Sequence, residues 1–343
     1  MKPGALLIRA DANGAIGTGH VMRCLALAQA WQDSGGVASL AVAELPEALS
    51  SRLIAERVSL FRLDATPGSV GDAADTIAQA LQLEAEWVAI DGDRFQSTFL
   101  ETVRNAGLKV LLIDDFADRL SFPADLIVNP NPGADVELYR VRGAAVPVLT
   151  GTAHVMLRRE FQQASRSREI RERGNRVLVT MGGSDPEQLT PGIAAALATC
   201  PDLGITAVAG AGYSKLDKLR TFEVANLRVV FDSQNMAEVM ASSDLAIIAA
   251  GGTLWELLSV GCAVLSYSRN AVQSRVVRDL AKAGAVVDLG ETRHFDPVKL
   301  RASVEEFAGS RASRERMASL GRALVDGRGA TRIVEAMQRS GAR

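Results

Sequence analysis

Alternation of short apolar runs with helical stretches constrains this chain more than any other feature. ALLIRA (5–10), VASLAVA (37–43), VSLFRL (58–63), WVAID (87–91) and KVLLID (109–114) are apolar almost throughout. Strands buried on both faces read this way, whereas half-exposed strands alternate. Between them HVMRCLALAQAWQDSG, DAADTIAQALQ and STFLETVRNAG have helical spacing and end near glycine. This order predicts a parallel sheet covered by helices on both faces, with ADLIVNPNPG (124–133) adding a sixth strand.

A second series repeats the pattern. RVLVTMGG (176–183), GITAVAG (204–210), LRVVF (227–231), LAIIAAGG (245–252) and AVLSYS (263–268) are strand-like, and PEQLTPGIAAALATC, MAEVMASS, TLWELLSVG and SRVVRDLAKAG are the helices between them. The expected architecture is two doubly wound, Rossmann-like α/β domains, which 343 residues accommodate. The charged run LRREFQQASRSREIRERGN (157–175) predicts a linker, either extended or a solvated helix. The domains are therefore expected at 1–156 and 175–328, with a linker at 157–174 and a final helix in 329–343 packing back across the cleft. Ligands of such sheets bind beyond the carboxyl ends of the strands, and the cleft between two sheets is the expected site.

Composition narrows the partners. A formal net charge of -2 provides no large basic surface, which argues against nucleic acid. Cys24, Cys200 and Cys262 are isolated in apolar surroundings with no CxxC pair, and read as reduced core thiols. The alternative is a nucleophilic Cys24 near His20. The first apolar run is too short for a signal peptide, and no stretch approaches ~20 uninterrupted apolar residues. A cytoplasmic protein without membrane insertion is expected.

Glycine-rich turns close three of the strands. In DANGAIGTGH, Gly17 and Gly19 permit a tight turn and close approach of backbone to a ligand. The helix that follows offers free N–H groups suited to phosphate or a developing oxyanion. The turn is not GxGxxG, so a dinucleotide-binding dehydrogenase is disfavoured. Val21, Leu25, Ala28 and Trp31 form the buried stripe of that helix, and His20 precedes it, one turn from Arg23 and Cys24. The helix N-terminus and Arg23 are both expected to lower the His20 pKa, leaving a neutral ring able to take a proton from water. The plainer alternative is a histidine that merely caps its helix.

In VTMGGSDP, Gly182 and Gly183 can offer backbone donors, while Ser184 or Asp185 caps a helix opening at Pro186. In AAGGTLWELL, Gly251 and Gly252 precede Thr253-Leu254-Trp255-Glu256, which matches a capping box. The rival reading gives that helix N-terminus a diphosphate and gives Glu256 the ribose hydroxyls. The lysine of GxxxxGK[ST] is missing, which excludes an NTPase phosphate loop. His154 and His294 stand apart, Asp114-Asp115 lacks partners at ligand spacing, and GxSxG does not occur, so neither a metal centre nor a Ser-His-Asp triad is expected.

The stretch RADANGAIGTGHVMRCLALA resembles the N-terminal signature of the UDP-2,4-diacetamido-2,4,6-trideoxy-β-L-altropyranose hydrolases of pseudaminic acid biosynthesis, relatives of spore coat polysaccharide biosynthesis proteins. Similarity recurs at LLIDDFADR, at DLIVNPNPGAD with Tyr139, and at VMLRREF, VTMGGSDP, AAGGTLWELLSVG and VDGRGATRIVEAM, in order over nearly the whole chain. The resemblance implies a GT-B fold and release of UDP and free sugar by water attack at the anomeric carbon, with inversion and without metal or cofactor. It places His20 on the catalytic histidine, and Glu256 on the nucleotide-binding glutamate of the second domain. Asp11, Gly17, Gly19, Arg23, Gly182, Gly183, Ser184, Gly251, Gly252, Thr253, Asn270 and Gln273 become the candidates facing diphosphate and sugar. Two departures touch the sugar side. In IDGDRF, Asp93 stands where the family carries the tyrosine of D-x-Y, and either helps position or deprotonate the water or suits a different sugar. In SYSRNAVQ, Asn270 and Gln273 are separated where the family has an adjacent pair. The rival readings are a glycosyltransferase with a related donor and a non-catalytic nucleotide-sugar-binding protein.

Overall fold

A computed structural model describes residues 3–183, 185–210, 213, 225–231, 233 and 235–341. The chain forms two compact units, Met1–Arg159 with Arg328–Arg343, and Glu160–Gly327.

The first unit holds a seven-stranded parallel sheet. Its strands are β1 (Ala5–Ala10), β2 (Val37–Val42), β3 (Ser59–Arg62), β4 (Ala85–Asp91), β5 (Lys109–Ile113), β6 (Leu126–Asn129) and β7 (Val148–Thr150), in the order β3-β2-β1-β4-β5-β6-β7. Helix α1 (Gly19–Asp33) covers one face with Val21, Leu25, Ala28 and Trp31 fully buried, the stripe its spacing predicts. The last helix, Gly329–Gly341, packs on α1 through Ile333, Val334 and Met337. Phe95, Phe99, Leu100 and Val103 cover the other face.

The second unit holds a six-stranded parallel sheet. Its strands are β8 (Arg176–Thr180), β9 (Gly204–Ala209), β10 (Leu227–Phe231), β11 (Leu245–Ala249), β12 (Ala263–Ser268) and β13 (Val287–Glu291), ordered β10-β9-β8-β11-β12-β13. Both sheets are doubly wound, and each has a topological switch point, between β1 and β4 in one and between β8 and β11 in the other.

The charged run holds the helix it allowed, but that helix is not wholly solvated. Arg159–Ser167 is a helix with Phe161 fully buried, and the two units divide inside it. Arg168 is no solvated spacer either. It donates to the carbonyl oxygens of Gly261, Met240, Ala241 and Ser243 at 2.5–3.0 Å. A guanidinium on carbonyls at helix C-termini answers both orphan acceptors and the negative dipole end. Among the described residues no helix is long and apolar enough to cross a membrane.

Candidate active site

The turn after β1 is built by Asn13, whose Oδ1 accepts the N–H groups of Ala15 and Ile16, each at 2.8 Å. The Gly17 N–H closes back onto the Asn13 carbonyl at 2.9 Å, and Gly17 has φ of +75°, a conformation that glycine adopts without strain. Asn13 Nδ2 also donates to Glu44, whose carboxylate takes Arg94 Nη1 at 3.0 Å. The turn is thus tied to the ends of two further strands. Helix α1 opens at Gly19, one residue earlier than expected, and Thr18 makes no side-chain cap.

His20 does not cap this helix. Its Nδ1 lies 2.7 Å from Oδ1 of Asp91, the last residue of β4 and completely buried. His20 opens the helix that follows β1 and Asp91 ends β4, the two strands that flank the switch point. Arg23, one turn along α1, donates through Nε and Nη2 to both oxygens of Asp91 at 2.6 Å. Its Nη1 and Nη2 also donate to both oxygens of Asp115 at 2.9 and 2.8 Å. Two forked pairs on one guanidinium fix its plane. Asn131 Nδ2 braces Asp115 at 3.2 Å and reaches Asn129 Oδ1 at 3.1 Å. Asn129 donates to the Tyr139 hydroxyl at 2.8 Å, which donates to Asp114 Oδ2 at 2.7 Å. One polar chain therefore crosses the carboxyl ends of β4, β5 and β6.

The charges follow from this geometry. Burial opposes ionisation of Asp91, but Arg23 and His20 outweigh it and hold the carboxyl well below the usual carboxylate range. An ionised Asp91 can only accept, so His20 Nδ1 carries the hydrogen and Nε2 is the ring atom left for chemistry. Asp91 raises the pKa of His20 against the opposing effects of burial and Arg23. The expected lowering is corrected: the helix terminus and Arg23 were legible nearby, whereas the dominant carboxylate lies 71 positions away. Cys24 is fully buried, and burial followed by Asp91 pushes its thiol up, which removes the nucleophile alternative. Tyr139 is raised by burial and Asp114.

Of the other candidates, Asp11 and Asp93 lie beside this pair. His20, Asp91, Asp11, Ile16, Gly92, Asp93, Arg94 and Phe95 line one recess. Asp93 is exposed on its rim, and its carbonyl holds the Gln96 side chain at 2.7 Å. Arg23 is engaged by two carboxylates rather than presented toward a diphosphate. Asp11 is buried, bonded to Arg9 and to two backbone N–H groups.

In the second unit the two glycine turns leave neighbouring strands, β8 and β11. A Cβ on Gly210 would lie 2.5 Å from the Gly183 Cα, so these backbones meet where no side chain fits. Asp185 caps the following helix, accepting from Leu189 and Thr190 N–H at 3.0 and 2.9 Å. That helix opens at Leu189, not at Pro186. Ser184 lies outside the described residues. Helix Gly252–Val260 starts with Gly251 in the cap position and no side-chain cap. Thr253 is already inside the helix, so the expected capping box does not form, and Glu256 lies in the helix body, half-buried. Asn270 and Gln273 meet again at a helix start: Asn270 Oδ1 accepts the Gln273 N–H, and Gln273 Oε1 accepts the Arg269 N–H, each at 2.9 Å. Arg269, which the sequence reading passed over, donates to the Met181 carbonyl beside Gly182.

His154 Nδ1 meets its neighbouring Thr150 carbonyl at 2.9 Å, and His294 is exposed. Among the described residues no three His, Cys, Asp or Glu side chains gather as a metal ion would require.

No family model matches the chain. It is 27% identical over 299 residues to the UDP-2,4-diacetamido-2,4,6-trideoxy-beta-L-altropyranose hydrolase of Campylobacter jejuni, covering 82% of this chain and 98% of that one. It is 26% identical over 235 residues to the spore coat polysaccharide biosynthesis protein SpsG of Bacillus subtilis, covering 67% of this chain and 69% of the relative. Among solved structures, MurG of Acinetobacter baumannii superposes with a TM-score of 0.68 at 17% identity, over 98% of this chain and 99% of that one. A UDP-GlcNAc 2-epimerase of Neisseria meningitidis, bound to UDP-GlcNAc, gives 0.69 at 13% identity over 98% and 100%. The fold is GT-B, and the resemblance read from the motifs extends over most of the chain as similarity to the hydrolase and to SpsG.

Proposed function

We propose that this protein is an enzyme that hydrolyses a UDP-linked amino-deoxy sugar, UDP-2,4-diacetamido-2,4,6-trideoxy-β-L-altropyranose or a close relative, to UDP and free sugar. One observation carries the reading: the His20–Asp91 pair, clamped by Arg23, at the mouth of a helix N-terminus beside the first switch point. Asp91 holds the ring in one tautomer and strengthens it as a base, so Nε2 takes a proton from water attacking the anomeric carbon. Attack on the face opposite the diphosphate inverts that carbon. UDP is already a good leaving group, so the protein has mainly to align water and stabilise developing charge. The uncapped start of α1 suits that charge. The turns at Gly182-Gly183 and Gly251-Gly252, with Glu256, are assigned to the nucleotide. The similarity to the Campylobacter jejuni hydrolase supports the substrate class.

A glycosyltransferase would use the same fold with a sugar or lipid acceptor in place of water. Incubation with the nucleotide sugar and EDTA, without acceptor, separates the two. Hydrolysis predicts UDP release with an inverted anomer by NMR, abolished in His20→Gln while UDP still binds. Release only after addition of an acceptor would assign a transferase, and undiminished turnover in His20→Gln would remove His20 from the mechanism.

A further inference from the structure

The two oxygens of Asp11 are treated unequally. Oδ1 accepts three hydrogen bonds, from Arg9 Nη1 at 2.8 Å, Ala43 N–H at 2.8 Å and Glu44 N–H at 3.0 Å. Oδ2 is buried and has no partner among the described residues, although the side chain is only 3% exposed. A buried acceptor left without a donor is costly, and such groups mark places where something else binds. The protein also prevents this one from turning away. Arg9 is itself fully buried, gripped by Asp72 through Nε and Nη2 at 2.8 and 2.9 Å and stacked 4.7 Å from the centre of the Phe95 ring.

Asp11 borders the recess that contains His20. Its free volume, 40 Å³, suits a water molecule or two and is too small for a pyranose ring. We infer that Asp11 Oδ2 and His20 Nε2 together hold the attacking water, an assignment that rests on the hydrolytic reading above. The water donates one hydrogen to each acceptor, which turns a lone pair toward the anomeric carbon. As the bond from water oxygen to that carbon forms, the bond from the carbon to the diphosphate oxygen breaks and its electron pair leaves with UDP. One proton passes to His20 Nε2, and the other stays on the new anomeric hydroxyl, still bonded to Asp11. Arg9 is a positioning residue in this scheme, since it acts only through Asp11.

The unequal oxygens make Asp11→Asn a sharp test. Three donors converge on Oδ1, so only the amide carbonyl oxygen fits there, and the NH2 must take the place of Oδ2. The variant therefore swaps one acceptor for a donor at a single point. With UDP-2,4-diacetamido-2,4,6-trideoxy-β-L-altropyranose as probe, kcat for UDP release is expected to fall about a hundredfold or more, with KM within about twofold of wild type. An unchanged kcat overturns the inference, and so does a raised KM at unchanged kcat, which would give Asp11 to the sugar. Wild-type protein that releases no UDP overturns the hydrolytic reading, and this inference with it. If the variant does not fold, as judged by melting and UDP binding, crystals of wild-type protein with a phosphonate analogue of the nucleotide sugar decide. A water within about 3.2 Å of Oδ2 on the anomeric face supports the assignment. A sugar atom there, or no water there, overturns it.

Discussion

Replacing Asp91 with asparagine separates the electrostatic role of this carboxylate from its shape. The side chain has no exposed area, and it accepts from Arg23 twice at 2.6 Å and from His20 at 2.7 Å. Asparagine keeps the outline, but removes the charge and turns one acceptor into a donor that must face Arg23 or His20. Breaking a buried ion pair from one side costs about 3–5 kcal/mol. Arg23 keeps Asp115 at 2.8 Å, so the loss belongs near the lower end, about 3 kcal/mol. In a domain of this size each kcal/mol moves Tm by roughly 2–4 °C, which gives a fall of about 6–12 °C. The same change removes the largest influence that raises the His20 pKa, while burial and Arg23, which lower it, remain. A ring that must be neutral to accept a proton loses activity as pH falls through its pKa. In the wild type this acid limb of kcat/KM therefore lies above the ordinary histidine value, and in Asp91→Asn it moves to lower pH. The plateau falls by about 10²–10⁴, because the tautomer is no longer held. Calorimetry and UDP release followed from about pH 5 to about pH 9 measure both effects. A Tm within about 2 °C of wild type with an unmoved acid limb would refute the reasoning.

Other consequences are checked more simply. Because Asp91 is held below the usual carboxylate range, its contribution to stability is complete above about pH 4 and is lost as pH falls toward its lowered value. Urea midpoints against pH should show this in the wild type and lack it in Asp91→Asn. Tyr139→Phe leaves Asp114 and Asn129 without their shared buried hydroxyl and should cost about 1–3 kcal/mol in chemical denaturation. Asn270→Ala removes the helix cap seen at Gln273 N–H and should destabilise the second unit by about 1 kcal/mol, read as a lower denaturation midpoint.

What could be read in advance was what is local. Central parallel strands announce themselves because both faces are buried: all of Ala246–Ile248 and Val110–Leu112 are inaccessible to solvent. The edge strands β7 and β13 escaped because VLT is short and only half-buried, and VDLGE is polar. His20 was legible from its own turn, since glycines and a helix start lie beside it. Its governing partner was not, because Asp91 is joined to it by strand order alone, across the switch point between β1 and β4. The same limit hid the inequality of the Asp11 oxygens, which depends on N–H groups of residues 43 and 44. Thr253–Glu256 erred the other way: the spacing fits a cap, but the helix already begins at Gly252. Arg168 shows why charge runs mislead, since backbone carbonyls that bind a guanidinium leave no mark in sequence.

In the proposed reaction water reaches the anomeric carbon rather than the phosphorus. Turnover of the UDP-linked sugar in H₂¹⁸O, with products analysed by mass spectrometry and ³¹P NMR, tests this most directly. Attack by a water activated at His20 predicts ¹⁸O in the freshly released sugar and none in UDP. Label in the β-phosphate of UDP, or no release at all without an added acceptor, would contradict it.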